Sequence, residues 1–307
     1  MTKPLTDMLQ ELRGMTSESR NPNTMQIDTL STLDMLSVIN AEDKKVASSV
    51  EAALPSITQA VDFAVNSIKS GGRLIYIGAG TSGRLGVLDA VECRPTFSVP
   101  DTMVIGIIAG GSKALTHAVE GAEDSAQQGA DDLVAHHLQA QDTVVGIAAS
   151  GRTPYVIGAL EYADNLGCNT VSVACNPNAP ILSIAKAGIC ANVGPECITG
   201  STRMKSGTAQ KLILNMLSTA TMIKLGKVYE NLMVDVNASN QKLHARAIRI
   251  VMQATQCQHL EAQQALLNAN NNAKLAILML LTNTNSEKAS SMLSEHHGHL
   301  RNAMGNV

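Results

Sequence analysis

Aromatic residues are almost absent from this chain of 307 residues, which has four Tyr, two Phe and no Trp. Platforms on which bases stack are built from aromatic rings, so no such platform is expected. Basic clusters are lacking too, because the formal net charge is −3 and no run of Lys and Arg makes a positive patch. These two absences argue against nucleic acid as a partner. A ligand would instead be bound by backbone amides, hydroxyl groups and charged side chains.

Long apolar runs are also missing. Residues 1–20 mix charged and apolar side chains without the apolar core of a secretory signal, and no run approaches the roughly 18 residues of a membrane helix. The six cysteines form neither a C-x-x-C pair nor a zinc-like spacing, which favours reduced thiols. We therefore expect a cytoplasmic protein with no membrane partner and no metal site.

Five short apolar runs alternate with helix-like stretches between residues 44 and 226. Each run is continuous, which is typical of strands covered on both faces of a parallel sheet. We therefore predict an α/β fold, a three-layer α/β/α sandwich around a five-stranded parallel sheet. The predicted strands are Arg73–Gly78, Met103–Ala109, Thr143–Ala149, Thr170–Cys175 and Ile189–Val193.

The remaining parts of the chain are predicted to be helical. Val46–Ile68 has helical periodicity, and Pro55 predicts a kink or break within it. After Lys227 the strand-like runs stop, and the pattern predicts a small C-terminal all-helical subdomain. Its predicted helices span 240–255, 260–267, 273–281 and 287–293, with an Asn-rich turn at 268–272. The predicted domains are an N-terminal arm with a helix at 1–43, the α/β domain at 44–226 and the helical subdomain at 227–307.

The loop Gly78–Arg84, after the first predicted strand, has the G-x-G-x-x-G spacing of dinucleotide-binding folds. That fingerprint also needs an acidic residue after the next strand, where this chain has Ala109–Gly111. Thr81, Ser82 and Gly83 instead offer hydroxyl groups and backbone amides at a helix N-terminus, which suits a phosphate. An ordinary helix cap with a tight turn would explain the same residues.

Two further loops are rich in hydroxyl groups. The loop after the third predicted strand contains Ser150, Gly151 and Thr153, and the segment 199–208 contains Ser201 and Lys205. In an open parallel sheet, ligands bind beyond the carboxyl ends of the strands. Three such loops in one domain favour a phosphate ester as the ligand.

Four stretches give the chain a resemblance to known proteins from about Ile27 to the C-terminus. It resembles the sugar isomerase (SIS) domain family and, more narrowly, the bacterial N-acetylmuramic acid 6-phosphate etherases. This resemblance implies a homodimer that cleaves the D-lactyl ether of its substrate, giving N-acetylglucosamine 6-phosphate and D-lactate, in cell-wall amino-sugar recycling. The stretches are Gly78–Gly86, Ala118–Asp124, Gly146–Tyr155 and Thr199–Lys211.

The same resemblance implies two catalytic carboxylates. Glu92 matches the proton donor of the family, and Glu123 matches its second catalytic carboxylate. Where the family often reads Ser-Glu-Cys-Pro-Pro, this chain has Val91-Glu-Cys-Arg-Pro95, so the surroundings of Glu92 differ.

The chemistry of ether cleavage calls for two such groups. Once the sugar ring opens, the proton on carbon 2 is acidic because it lies next to an aldehyde, and the lactyl oxygen on carbon 3 becomes a leaving group. A carboxylate removes the proton, a carboxylic acid protonates the leaving oxygen, and water then adds to the unsaturated aldehyde. We assign Glu123 as the base and Glu92 as the acid. The substrate carbonyl takes up the electrons, so no cofactor is expected.

The spacing of Glu92 raises a geometric question. In an unbroken helix Ser82 and Glu92 would lie about 15 Å apart, a long span for a hexosamine phosphate. Either the helix ends early, near Gly86 or Ala90, or Glu92 serves the phosphate pocket of a partner subunit.

Two other functions remain open from the sequence. A non-catalytic phosphosugar-sensing regulator would use the same loops without proton transfer. An aldose–ketose sugar-phosphate isomerase would move the carbon 2 proton to carbon 1. The paired glutamates argue against the sensor, and release of lactate would separate the etherase from the isomerase.

Overall fold

The computed structural model describes residues 5–236 and 241–305. The chain divides into two compact units. The first consists of Met1–Val91 and Thr102–Leu217, and the second of Glu92–Asp101 and Ser218–Val307. None of the helices in the described ranges is long and apolar enough to cross a membrane.

The first unit is built on a parallel sheet of five strands in the order β2-β1-β3-β4-β5. Every residue of β1 and β3 is buried, as expected for strands covered on both faces. The predicted α/β fold and its five strands are confirmed. The strands are β1 (Leu74–Gly78), β2 (Val104–Ile108), β3 (Thr143–Ile147), β4 (Asn169–Ala174) and β5 (Ala187–Cys190).

The position of β5 differs from the prediction, which placed it at Ile189–Val193. The strand starts earlier because Ala187 and Gly188 pair with β4, although neither residue has a strong apolar signal. It ends at Cys190, opposite the last residue of β4, Ala174.

Helices precede, connect and follow these strands. The predicted break in Val46–Ile68 is confirmed, because one helix ends at Glu51 and the next begins at Leu54. Pro55 lies in the first turn of that second helix, where its missing N–H costs no hydrogen bond. The helices are α1 (Leu5–Arg13), α2 (Thr32–Asp43), α3 (Lys45–Glu51), α4 (Leu54–Lys69), α5 (Gly80–Phe97), α6 (Ala126–Ala135), α7 (Pro154–Asn165), α8 (Ile181–Ile184) and α9 (Lys205–Lys224).

Helix α5 runs without interruption from Gly80 to Phe97. The alternative in which it ends near Gly86 or Ala90 is therefore wrong. Gly86 is buried where the helix crosses the strand, and a Cβ there would lie 2.9 Å from Cβ of Tyr76. The glycine serves close packing and does not stop the helix. Tyr76 also donates a hydrogen bond to Asp89 on the buried side of α5, at 2.9 Å.

The second unit has its own apolar core, formed by helices that include buried Val251, Leu266 and Leu278. The prediction that no strand follows Lys227 is wrong. Two strands of two residues each pair there as an antiparallel hairpin. Such short strands leave no detectable pattern in the sequence. The predicted helix start at residue 240 lies outside the described residues. The elements are β6 (Val228–Tyr229), β7 (Leu232–Met233), α10 (Gln241–Thr255), α11 (His259–Asn268), α12 (Ala273–Thr282), α13 (Ser286–Glu295) and α14 (Leu300–Ala303).

Candidate active site

The loop after β1 leads directly into α5 and rests on the start of α9. The Ser82 hydroxyl donates to Oε1 of Gln210 at 3.0 Å, and Ser82 is buried. The Thr81 methyl group lies 3.4 Å from where a Cβ on Gly207 would be, so a larger residue there would press on the loop. The structure thus brings the predicted phosphate loop against the first turns of α9.

The loop after β3 has a shape that depends on Gly151. Gly151 has a φ of +65°, and a Cβ there would lie 2.3 Å from Cβ of Ala179, so only glycine fits. The Ser150 hydroxyl accepts a hydrogen bond from the backbone N–H of Arg152 at 3.2 Å. Thr153 is the N-cap residue of α7, but its side chain makes no capping bond within the described part of the chain. Ordinary capping therefore does not account for the Thr153 hydroxyl.

Glu123 is exposed in the segment between β2 and α6. Its carbonyl oxygen accepts a hydrogen bond from the backbone N–H of Tyr155, in the first turn of α7, at 3.1 Å. This bond ties the Glu123 segment to the helix that follows the Ser150 loop. The tie is invisible in the sequence, because it depends on how α7 meets a loop from elsewhere in the chain.

Glu123 and Gly80 line the same cavity, which has a volume of about 210 Å³, whereas Thr81, Ser82 and Gly83 are not among its lining residues. Arg84 also lines the cavity, and its guanidinium donates to the carbonyls of Leu115 and His117 at 3.2 and 3.4 Å. Glu123 therefore shares this cavity with Gly80 and Arg84, which flank Thr81–Gly83 along the chain. Lining residues include Ala79, Gly80, Arg84, Glu120, Gly121 and Glu123.

A larger cavity, of about 520 Å³, lies elsewhere in the first unit along the edge strand β2. Its walls include Gly106, Leu115 and His136, and none of the predicted site residues lines it. Cavity size does not select the site, because this cavity and another of about 630 Å³, lined by Arg94 and Arg246 in the second unit, are both larger than the cavity beside Glu123.

Glu92 is exposed on α5, on the unbroken helix that begins at the phosphate loop. Nearby Arg94, which departs from the family pattern, forms an ion pair with Asp101. Arg94 thus has a carboxylate partner other than Glu92.

Lys205 occupies a different environment from the one predicted. Its side chain is 1% exposed, and its ammonium group contacts the Glu42 carboxylate on α2 at 2.7 Å. Burial by itself raises the pKa of Glu42, but hydrogen bonds from Lys205, Lys45, Asn23 and Asn21 outweigh it and lower the pKa to about 2. The Lys205 charge is thus neutralised within the protein, an arrangement that anchors α2 and does not support direct contact with a phosphate.

The N-terminus of α9 is also occupied. The buried carboxylate of Glu196 accepts hydrogen bonds from the backbone N–H groups of Lys205 and Ser206, both at 2.9 Å. This anionic cap stabilises the positive end of the helix dipole. Ser201 lies half-buried in the preceding turn. Sequence reasoning missed Glu42 and Glu196, since neither stands in a capping or pairing position along the chain.

Across residues 5–236 and 241–305, His, Cys, Asp and Glu form no group of three or more that could hold a metal ion.

Known proteins similar to this chain fall into two groups. The profile of the glucokinase regulatory protein N-terminal SIS domain matches residues 56–164, and that of the C-terminal lid domain of the same protein matches residues 230–274. A solved phosphoheptose isomerase from Francisella tularensis is 18% identical, with a TM-score of 0.48 over 63% of this chain and 100% of that chain.

The curated relatives are far more similar. An N-acetylmuramic acid 6-phosphate etherase from Pseudoalteromonas atlantica is 60% identical over 298 residues, which is 97% of each chain. One from Actinobacillus pleuropneumoniae is 58% identical over 300 residues, covering 98% of this chain and 99% of the relative. At this identity over nearly the full length, the chain belongs to the N-acetylmuramic acid 6-phosphate etherase family.

Proposed function

We propose that this chain cleaves the D-lactyl ether of N-acetylmuramic acid 6-phosphate, giving N-acetylglucosamine 6-phosphate and D-lactate. The reaction is a carbon–oxygen lyase step followed by addition of water, in the recycling of cell-wall amino sugars in the cytoplasm. The observation that carries the proposal is the cavity that Glu123 and the Gly80 loop line together. This cavity supports a site in which Glu123 works close to the residues that hold the phosphate.

The phosphate is held by the two loops that follow β1 and β3. Thr81, Ser82 and Gly83 supply hydroxyls and amides at the start of α5, where the helix dipole favours an anion. Ser150, Gly151 and Thr153 supply the same groups at the start of α7. Support comes from the positive φ of Gly151 and from the Thr153 hydroxyl, which is not used for capping. Ser201 contributes a further hydroxyl from the turn before α9.

Glu123 acts as the base. In the ring-opened substrate it removes the proton from carbon 2, and the electron pair is stabilised by the carbon 1 aldehyde. Expulsion of the lactyl oxygen from carbon 3 then leaves a double bond between carbons 2 and 3. The backbone bond from Tyr155 holds the Glu123 segment, which limits how far the carboxylate moves.

Glu92 acts as the acid, donating its proton to the lactyl oxygen as the carbon–oxygen bond breaks. Water then adds at carbon 3 and a proton returns to carbon 2, which completes the balance of atoms. Each positioned proton transfer contributes about 10² to 10⁴ in rate. The substrate aldehyde takes up the electron pair, so the reaction requires neither metal nor organic cofactor.

The protein works as a homodimer in which Glu92 serves the pocket of the partner subunit. In support, α5 is unbroken, which separates Ser82 from Glu92 by about 15 Å along one helix. The cavity beside Glu123, about 210 Å³, is smaller than the roughly 300 Å³ of typical small-molecule sites, so it needs further walls. Exposed apolar side chains suit a contact between copies, including Leu33 on α2 at 74% and Val91 on α5 at 63% exposure.

The regulator and isomerase alternatives are less well supported. The two regulatory-protein profiles match only residues 56–164 and 230–274, whereas the etherases align over nearly the whole chain. A sensor also has no use for a carboxylate in the phosphate cavity.

The test is to incubate the purified protein with N-acetylmuramic acid 6-phosphate and to measure products. We expect lactate and N-acetylglucosamine 6-phosphate in equal amounts. A ketose phosphate without lactate would identify an isomerase, and tight binding without turnover would identify a sensor.

A further inference from the structure

Gln210, on the second turn of α9, has a side-chain amide of which only one end is bonded. The residue is 1% exposed, and its Oε1 accepts the Ser82 hydroxyl at 3.0 Å. Its Nε2 is buried and has no hydrogen-bond partner among the residues that the structure describes. An unpaired buried N–H is destabilising, so this orientation of the amide carries a free-energy cost.

The same orientation is unsuited to an anion. A serine hydroxyl has one proton, and here the Ser82 proton points to Gln210. Phosphate oxygens only accept hydrogen bonds. Because the Ser82 proton is engaged with Gln210, the Ser82 oxygen would face a phosphate oxygen with no proton between them, and the two oxygens would repel each other. Rotating the amide by half a turn removes the second problem, because the two ends of an amide are nearly the same size; the buried position without a partner is then occupied by Oε1 and no longer by Nε2. Nε2 then donates to Ser82, and the Ser82 proton is free for a phosphate oxygen.

The surroundings support a role for this part of α9 at the loop. Gly207 lies against the Thr81 methyl group, one turn before Gln210. Ser206, also 1% exposed, has a hydroxyl without a partner in the described part of the chain. Of the unpaired buried polar groups on α9, two thus lie in its first two turns, next to the phosphate loop.

We propose that Gln210 is a positioning residue for phosphate binding, whose amide turns to donate to Ser82 so that the Ser82 hydroxyl donates to the ligand. This inference rests on the proposed phosphate-binding role of the Thr81–Gly83 loop. It concerns ground-state binding of the phosphate and not the chemistry at carbons 2 and 3.

The test uses Gln210→Met, which keeps the length of the side chain and removes both amide groups. We expect the Kd for N-acetylglucosamine 6-phosphate, measured by calorimetry, to rise about fivefold, with a matching rise in KM and little change in kcat. In a Ser82→Ala background, the same substitution should change the Kd by less than about twofold, because its effect passes through Ser82.

Two further variants keep the result interpretable. Gln210→Glu has nearly the same shape but only accepts, so it should weaken binding at least as much as Gln210→Met. Thr221→Val, a matched control, removes another buried unpartnered hydroxyl on α9 and should leave the Kd unchanged. A wild-type Kd in either folded Gln210 variant, or an equal penalty with and without Ser82, would overturn the inference.

This test is separable from that of the proposed function. Binding of the phosphosugar is measured without turnover, whereas the proposed function is measured as lactate release. A wild-type protein that binds the ligand but releases no lactate would refute the etherase activity alone.

Discussion

At the scale of single residues, the proposed mechanism assigns Glu92 and Glu123 to different steps, so removing each one should stop the reaction at a different point. Glu123→Gln should abolish both lactate release and exchange of the carbon 2 proton with solvent. Glu92→Gln should slow lactate release by about 10² to 10⁴ while proton exchange continues, because the base remains. Proton NMR of unreacted substrate in heavy water measures the exchange.

Glu161→Gln, an exposed change on α7, is the matched control and should behave like wild type. Near-normal lactate release by Glu92→Gln would contradict its role as the acid. Continued exchange in Glu123→Gln would show that another group is the base.

Because of the buried Glu42 carboxylate, the free energy of unfolding should depend on pH in the acidic range. Its pKa is lowered to about 2 in the folded protein, from 4.5 for a free side chain. The resulting contribution, about 3 kcal/mol, is complete above pH 4.5 and is lost as the pH falls towards 2. Urea unfolding of wild type and Glu42→Gln should therefore give a stability difference that shrinks over this interval. A difference that is constant with pH would contradict the ion pair with Lys205.

At the scale of helices and strands, the packing of α6 on α7 holds the Glu123 segment next to the Ser150 loop. Gly158 on α7 permits this packing, because a Cβ there would lie 2.1 Å from the carbonyl oxygen of Ala126. Gly158→Ala should therefore force the helices apart and lower the free energy of unfolding by about 1–3 kcal/mol. Activity should fall as well, since Glu123 directly precedes α6.

Calorimetric unfolding measures the effect, with Ala135→Ser at the exposed end of α6 as the control. A Gly158→Ala protein with wild-type Tm and kcat would show that the close approach of α6 and α7 is not needed.

The strands could be predicted because each is a continuous apolar run, and a run buried on both faces needs no tertiary information to be recognised. The boundaries of β5 could not, since its first residues, Ala187 and Gly188, are strand residues only through their pairing with β4. The hairpin of β6 and β7 could not be predicted either, because each of its strands has only two residues.

The residues of the candidate site divide in the same way, into those that a local motif indicates and those whose environment depends on tertiary contacts. Thr81, Ser150 and Glu123 could be proposed as site residues from motifs, which record local chemistry, and their roles stay predictions. The burial of Lys205 could not, because its partner Glu42 lies 163 positions away and charged residues are usually exposed. The phosphate-binding role of Lys205 stays a prediction, to which the structure adds a buried ion pair with Glu42 on α2.

At the scale of the whole molecule, a shared site makes a prediction about mixtures. If Glu92 of one subunit works with Glu123 of the other, a dimer of one Glu92→Gln and one Glu123→Gln subunit has one intact site. Unfolding and refolding equal amounts of the two inactive variants together should restore about a quarter of the wild-type activity. Lactate release after refolding is the measurement.

The control is each variant refolded alone, which should stay inactive. A mixture that also stays inactive, although mixed dimers are present by mass spectrometry, would place both glutamates of a site in one chain.

The central claim is that lactate leaves by elimination after loss of the carbon 2 proton. The most direct test is to turn over N-acetylmuramic acid 6-phosphate with the wild-type protein in heavy water. We predict one lactate per substrate, with deuterium on carbon 2 of the N-acetylglucosamine 6-phosphate formed. Lactate release with the original proton kept on carbon 2 would contradict elimination, and no lactate at all would contradict the etherase function.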